Sequence, residues 1–108
     1  MATVTINIDR APTKEIELKL GILAITPRAK ELFVDNHKEL ALCIARHISG
    51  DWGEVDNEDW DTNDAAAESG MRVLSAYTVH GSPQGPTKIW IITEGNRSYT
   101  TILLPEDY

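Results

Sequence analysis

The sequence holds a single cysteine, Cys43, among its 108 residues. No disulfide can form within the chain, and the fold must stand on packing alone, as suits a reducing compartment. No apolar run approaches the ~18 residues of a membrane span. Met1–Arg10 alternates apolar and polar residues and lacks the basic start and continuous apolar stretch of a signal peptide. These absences set the expectation of a cytoplasmic protein with no membrane partner. There is no Gly-x-Ser-x-Gly elbow and no Gly-rich phosphate loop, so nothing supports nucleotide-dependent chemistry. One Cys and three scattered histidines, His37, His47 and His80, offer no zinc spacing. Asp59-Trp60-Asp61-Thr62-Asn63 starts like a calcium loop, but Asp64 stands where that loop needs Gly, and Gly70 where it needs a bidentate Glu. No metal and no cofactor are expected.

Basic charge is also missing from one stretch. The chain carries a net charge of −7, and between His47 and Arg72 there is no Lys or Arg. That gap holds Asp51, Glu54, Asp56, Glu58, Asp59, Asp61, Asp64 and Glu68, eight of the 17 acids. The remaining nine acids face ten bases, so the acidity belongs to one segment. Such a field repels nucleic acid and attracts basic surfaces. It is either a solvated helix face and loop or a face for a partner.

The length suits one domain, spanning 1–108, with ~65% of the unfolded surface buried. Val4, Ile6 and Ile8 alternate with polar residues, as do Ile16, Leu18 and Leu20, and this period of two predicts an N-terminal hairpin. Thr26-Pro27 reads as a helix start. Asn36 with Glu39 resembles a capping box opening a second helix, with Leu40, Cys43, Ile44, His47 and Ile48 on one face and Gly50 as its stop. Asp56 or Asp61 caps a third helix that ends at Gly70. Three strands follow: Met71–Val79, Lys88–Thr93 and Ser98–Leu104, with Gly95-Asn96 turning the last pair. The unbroken apolar run Ile89–Ile92 reads as a central strand. The order predicts an α+β fold, a mainly antiparallel sheet with two to three helices on one face.

Cys43, on an apolar helix face, reads as inert packing. His47, Arg72, Glu94 and Arg97 are the side-chain types of a metal-independent ribonuclease or toxin-like enzyme: a base, an acid and cations for a phosphate. Against this, His47 falls on the apolar face of its helix, and Glu94 with Arg97 reads as an exposed pair beside a turn. Trp52, between Gly50 and Gly53, reads as a plug with its N–H held by backbone, and Trp90 as core. Trp60, within the acidic segment, is an anchor for a partner if it is exposed.

One set of residues resembles a known family. It comprises Arg46-His47-Ile48-Ser49-Gly50-Asp51-Trp52-Gly53, Arg72 with Ser75-Ala76-Tyr77, Lys88–Glu94, Arg97, Thr100–Pro105 and Tyr108. The resemblance is to small bacterial proteins of plasmids and integrated elements, loosely called plasmid-related proteins or type I restriction enzyme subunit M. It covers roughly residues 21 to 108 and brings no mechanism with it. Where that family has Glu-Ala-Asp-Arg, this chain has Glu94-Gly95-Asn96-Arg97 and lacks an acid. The methyltransferase-subunit label does not fit physically, because the chain has neither the cofactor loop nor the flipped-base pocket of such an enzyme.

The resulting expectation is a non-enzymatic accessory protein of a mobile element. It would bind a protein, such as a host defence or DNA-handling factor, through Asp51, Trp52, Glu54, Asp56, Glu58, Asp59, Trp60 and Asp61. The ribonuclease set is the alternative. A third reading is a homo-oligomer paired through an edge strand, Val4–Ile8 or Ser98–Leu104.

Overall fold

Thr26 and Pro27 begin the first helix as their chemistry asks. The Thr26 hydroxyl accepts the Ala29 N–H at 3.3 Å, and Pro27, lacking an N–H, fills the first position. In the computed structural model, which describes residues 10–12 and 14–108, this helix is α1, Pro27–Leu32. It follows strand β1, Ile22–Ile25. Helix α2 spans His37–Ile48 and α3 spans Asn57–Ser69. Strands β2 (Val73–Val79), β3 (Thr87–Thr93) and β4 (Tyr99–Leu103) follow, and a 3₁₀ turn covers Pro105–Asp107.

The strands form one sheet in the order β1-β4-β3-β2. β2 pairs with β3 and β3 with β4 antiparallel, whereas β1 lies parallel to β4. Among the described residues the fold is α+β, with a mostly antiparallel sheet and three helices. The register puts Val73, Ser75, Tyr77 and Val79 on the same face as Ile89, Ile91, Thr93, Thr100 and Ile102. The helices pack on that face. Ala29, Leu32, Phe33 and Cys43 join Tyr77, Val79, Ile89, Ile91 and Ile102 in one core cluster. Trp52, Trp60, Ala66, Leu18 and Val73 form a second.

Three sequence expectations change. Ile16–Leu20 belongs to no strand: the Leu18 N–H donates to the Ile48 carbonyl at 2.9 Å, and Ile16, Leu18 and Leu20 pack in the tryptophan cluster. Its alternation records one side resting on helices and the other facing solvent. Its proposed partner Val4–Ile8 lies outside the described residues. The sheet takes Ile22–Ile25 instead, four apolar residues too short and uniform to show a period. Gly21 (φ +64°) permits this entry, since a Cβ there would strike the carbonyl oxygens of Arg97 and Ser98. β4 is also interior rather than an edge, because β1 covers it.

The Asn36–Glu39 box takes another form. The Asn36 side chain makes no bond to a helix N–H. It donates to Glu39, whose carboxylate also accepts the backbone N–H groups of His80 at 2.8 Å and Gly81 at 3.2 Å. Burial pushes the Glu39 carboxyl up, but these bonds and the nearby His80 outweigh it and hold the group below its usual range. The pair ties the start of α2 to the β2–β3 loop.

Candidate functional site

Folding gives most of the acidic segment internal work. Asp51 receives Arg46 through two bonds, Nε at 2.9 Å and Nη2 at 3.2 Å, and its carboxylate also accepts the Gly53 N–H at 3.3 Å. The Tyr77 hydroxyl donates to the Asp51 carbonyl at 2.7 Å. Glu54 accepts the Thr78 hydroxyl at 2.9 Å. Asp56 caps α3 by accepting the Asp59 N–H at 2.8 Å, so the cap is Asp56 and not Asp61. Asp64 is buried and accepts the Trp52 indole N–H at 3.0 Å. That carboxylate, twelve residues along the chain, replaces the backbone partner expected for Trp52.

Cations from the N-terminal segment reach back to α3. Arg10 meets Asp61 at 3.1 Å and stacks over the Trp60 ring at 5.2 Å, while Lys14 meets Glu68 at 3.5 Å. Both ion pairs are largely exposed and each contributes under ~1 kcal/mol. Glu58 and Asp59 remain: both are exposed, and neither side chain has an ion pair or hydrogen bond among the described residues. Trp52 and Trp60 are both 0% exposed, which corrects their place on a binding face. Their rings gain more from burial in the second core cluster than from a place on a charged surface.

Beside Asp59 lies an apolar trough made of two hollows that share Thr62. Its larger part, about 460 Å³, lies among Thr62, Ala65, Ala66, Ser69, Met71 and Arg72. A smaller hollow of about 160 Å³, among Val55, Asp59, Thr62, Asn63 and Leu74, meets it at Thr62. Asn63 fixes the trough wall. Its amide donates to the Leu74 carbonyl at 2.7 Å, and its oxygen accepts the Leu74 N–H at 3.2 Å. Further along, Ala76 pairs with Trp52 and Glu54 through backbone bonds of 3.1 and 2.8 Å. Gly53 (φ +75°) allows this approach, because a Cβ there would overlap the Ala76 oxygen. The outer edge of β2 is therefore closed at both places. Met71, 63% exposed, stands at the rim of the larger part.

The residues of the ribonuclease reading do not converge. His47 is 0% exposed, on the helix-covered face. Its Nδ1 lies 2.5 Å from the Ser75 hydroxyl and its Nε2 lies 2.8 Å from that of Thr93. Thr93 in turn lies 2.7 Å from the Thr100 hydroxyl, which donates to the Leu20 carbonyl at 2.8 Å. A carbonyl only accepts, so Thr100 has spent its proton and Thr93 must donate to it. Thr93 then accepts from His47, which carries its hydrogen on Nε2, and Ser75 donates to Nδ1. The ring is neutral, and the side-chain polar atoms of His47, Ser75, Thr93 and Thr100 all have partners. Burial, with Arg97 adding to it, pushes the His47 pKa down to about 3.

Arg72 and Glu94 flank the Val73↔Thr93 pair, so the pleat sends them to the opposite face of the sheet from His47. They form an ion pair at 3.7 Å, and Arg72 donates to the Tyr108 hydroxyl at 2.8 Å and stacks on that ring. Glu94 therefore pairs with Arg72, not with Arg97. Arg97 adopts φ +58° and turns into the end of α3. There it donates to the carbonyls of Met71 at 2.7 Å, Ala66 at 2.9 Å and Glu94 at 3.2 Å. It neutralises helix-end carbonyls and is not aimed at a phosphate.

Among the described residues, no three of His, Cys, Asp and Glu are grouped so as to hold a metal ion. No helix among them is long and apolar enough to cross a membrane. The protein so defined is a small α+β domain with a sheet covered on one face by three helices and a trough beside the last of them. No family model matches the chain, and no match was found among curated proteins or solved structures.

Proposed function

We propose that this chain acts without catalysis, by binding another protein through the acidic surface at the start of α3. Asp56, Glu58, Asp59 and Asp61 are exposed there together, and Glu58 and Asp59 have no partner among the described residues. That observation carries the reading, because two adjacent unpaired carboxylates beside an apolar trough are free to meet cations on a partner. The neighbouring acids Asp51, Glu54 and Asp64 hold the segment in place instead. The resemblance to plasmid-related proteins supports a setting on a mobile element, with a host defence or DNA-handling factor as the partner.

The test is affinity capture from a bacterial host with the wild-type chain and with Glu58→Lys/Asp59→Lys. Asp56→Asn joins as a control that keeps the helix cap. The charge-reversed chain is expected to lose its partner while its circular dichroism is unchanged. An identical set of captured proteins from both chains overturns the proposal.

A further inference from the structure

The trough beside α3 has a shape as well as a charge. Glu58, Thr62, Ala65 and Ser69 recur at spacings of three and four, which places them on one stripe of the helix. All four are exposed, and beyond Glu58 the stripe has only small side chains. Across from it stand Met71 and Leu74, the first exposed and the second half-buried. The larger hollow, about 460 Å³ and mostly apolar, has room for one large aliphatic side chain from outside. At one end Glu58 and Asp59 supply negative charge with no partner among the described residues. At the other, Arg72 is already neutralised by Glu94. Complementarity thus asks for an apolar group over Ala65 and Met71, and for positive charge toward Glu58 and Asp59. From Glu58 to Ala65 is seven residues, or about 10 Å along the helix axis, two turns.

We propose that this trough seats an amphipathic helix of a partner protein, with a Leu-type anchor over Ala65 and Met71 and a Lys or Arg two turns away against Glu58 and Asp59. The inference rests on the protein-binding reading above and names the chemistry of the partner. The matching spacing on two helices is what lets apolar anchors and charges engage together.

The test uses two synthetic peptides of one composition added to the full-length chain. In the first, Leu and Lys stand seven residues apart on one helical face; in the second, the order is scrambled. Amide shifts of Ala65, Met71 and Leu74 in nitrogen–proton spectra report on the trough. The first peptide is expected to move these signals and to bind at least tenfold more tightly than the second. Ala65→Arg, an exposed substitution that fills the trough, is expected to weaken binding at least tenfold, as is Glu58→Gln/Asp59→Asn. If the first peptide fails to move Ala65 and Met71 at millimolar concentration, the trough proposal is overturned. Equal binding of the scrambled peptide, with shifts only near Glu58 and Asp59, also overturns it but leaves the acidic-surface reading standing. If the chain alone self-associates and Ala65→Arg abolishes that, the occupant is a second copy and the partner helix is overturned. Loss of all peptide binding together with an unchanged capture result removes both readings.

Discussion

His47 shows how one buried residue can order several others. Its neighbours fix the Nε2–H tautomer, and the chain of hydroxyls it starts ends on the Leu20 carbonyl, outside the sheet. One residue thus links α2, β2, β3, β4 and the segment leading into β1. Replacing His47 with Ala would strand the Ser75 and Thr93 hydroxyls and leave a cavity, a loss of about 3 kcal/mol in denaturant unfolding. The histidine also makes stability depend on pH. Its pKa is about 3 folded against 6.5 unfolded, so the unfolded chain binds the extra proton. Its contribution is full above pH 6.5 and is lost as pH falls toward 3, with a slope approaching ~1.4 kcal/mol per pH unit. Unfolding midpoints measured between pH 7 and pH 4.5 should fall accordingly, and the His47 ring should stay neutral by nuclear magnetic resonance throughout. Cys43, in the first core cluster, is another buried titrating group. Burial, reinforced by Glu39, pushes its thiol up to about 11. A thiol reagent at pH 8 should react with it only at the rate of unfolding, and a burst of labelling in the native state would contradict its place in the core.

Among the elements, α3 combines the sharpest start with an unusual side contact. Asp56 alone satisfies an orphan N–H at its start, so Asp56→Ala should cost about 1 kcal/mol and Asp56→Asn much less. Asn63, in the middle of the helix, holds the Leu74 peptide group from both sides. Asn63→Ala removes both bonds and uncovers that part of β2, with an expected loss of about 2 kcal/mol by thermal or denaturant unfolding. Asn63→Asp restores only the acceptor and should recover only part of that loss. The stop at Gly70 was readable and the start was narrowed to Asp56 or Asp61, because caps act over three or four residues. The Asn63 contact was not, because a mid-helix Asn gives no sign of the strand edge it will face eleven residues later.

Across the whole molecule, the two core clusters are joined by β2, which sends Val73 to one and Tyr77 and Val79 to the other. The buried His47 chain crosses between them, and the His47 ring meets Trp52 edge-on at 5.7 Å. This continuity predicts a single cooperative transition. Tryptophan fluorescence, to which the two fully buried rings Trp52 and Trp60 contribute beside half-buried Trp90, should coincide with far-ultraviolet circular dichroism during unfolding. Separate midpoints would show that the tryptophan cluster unfolds by itself. The distribution of charge is also a property of the whole chain. Arg10 and Lys14, outside the acidic gap, fold back on Asp61 and Glu68, and among the described residues Glu58 and Asp59 are left without a partner.

Local chemistry determined much by itself. The helix start at Thr26, the helix stop at Gly70, the turn at Gly95-Asn96 and the apolar run of β3 each depend on residues close in sequence, so their signals survive without the fold. The tertiary structure decided the rest, because it depended on which distant groups came to share one dielectric and one hydrogen-bond network. It put the uniform strand Ile22–Ile25 against β4 and left alternating Ile16–Leu20 outside the sheet. It buried Trp60, drew Asp64 beneath Trp52, and set His47 and Glu94 on opposite faces although Thr93, which touches His47, adjoins Glu94 in the chain. In the acidic segment only Glu58 and Asp59 keep no partner among the described residues, because burial and hydrogen bonding act through space and charge counting acts only along the chain.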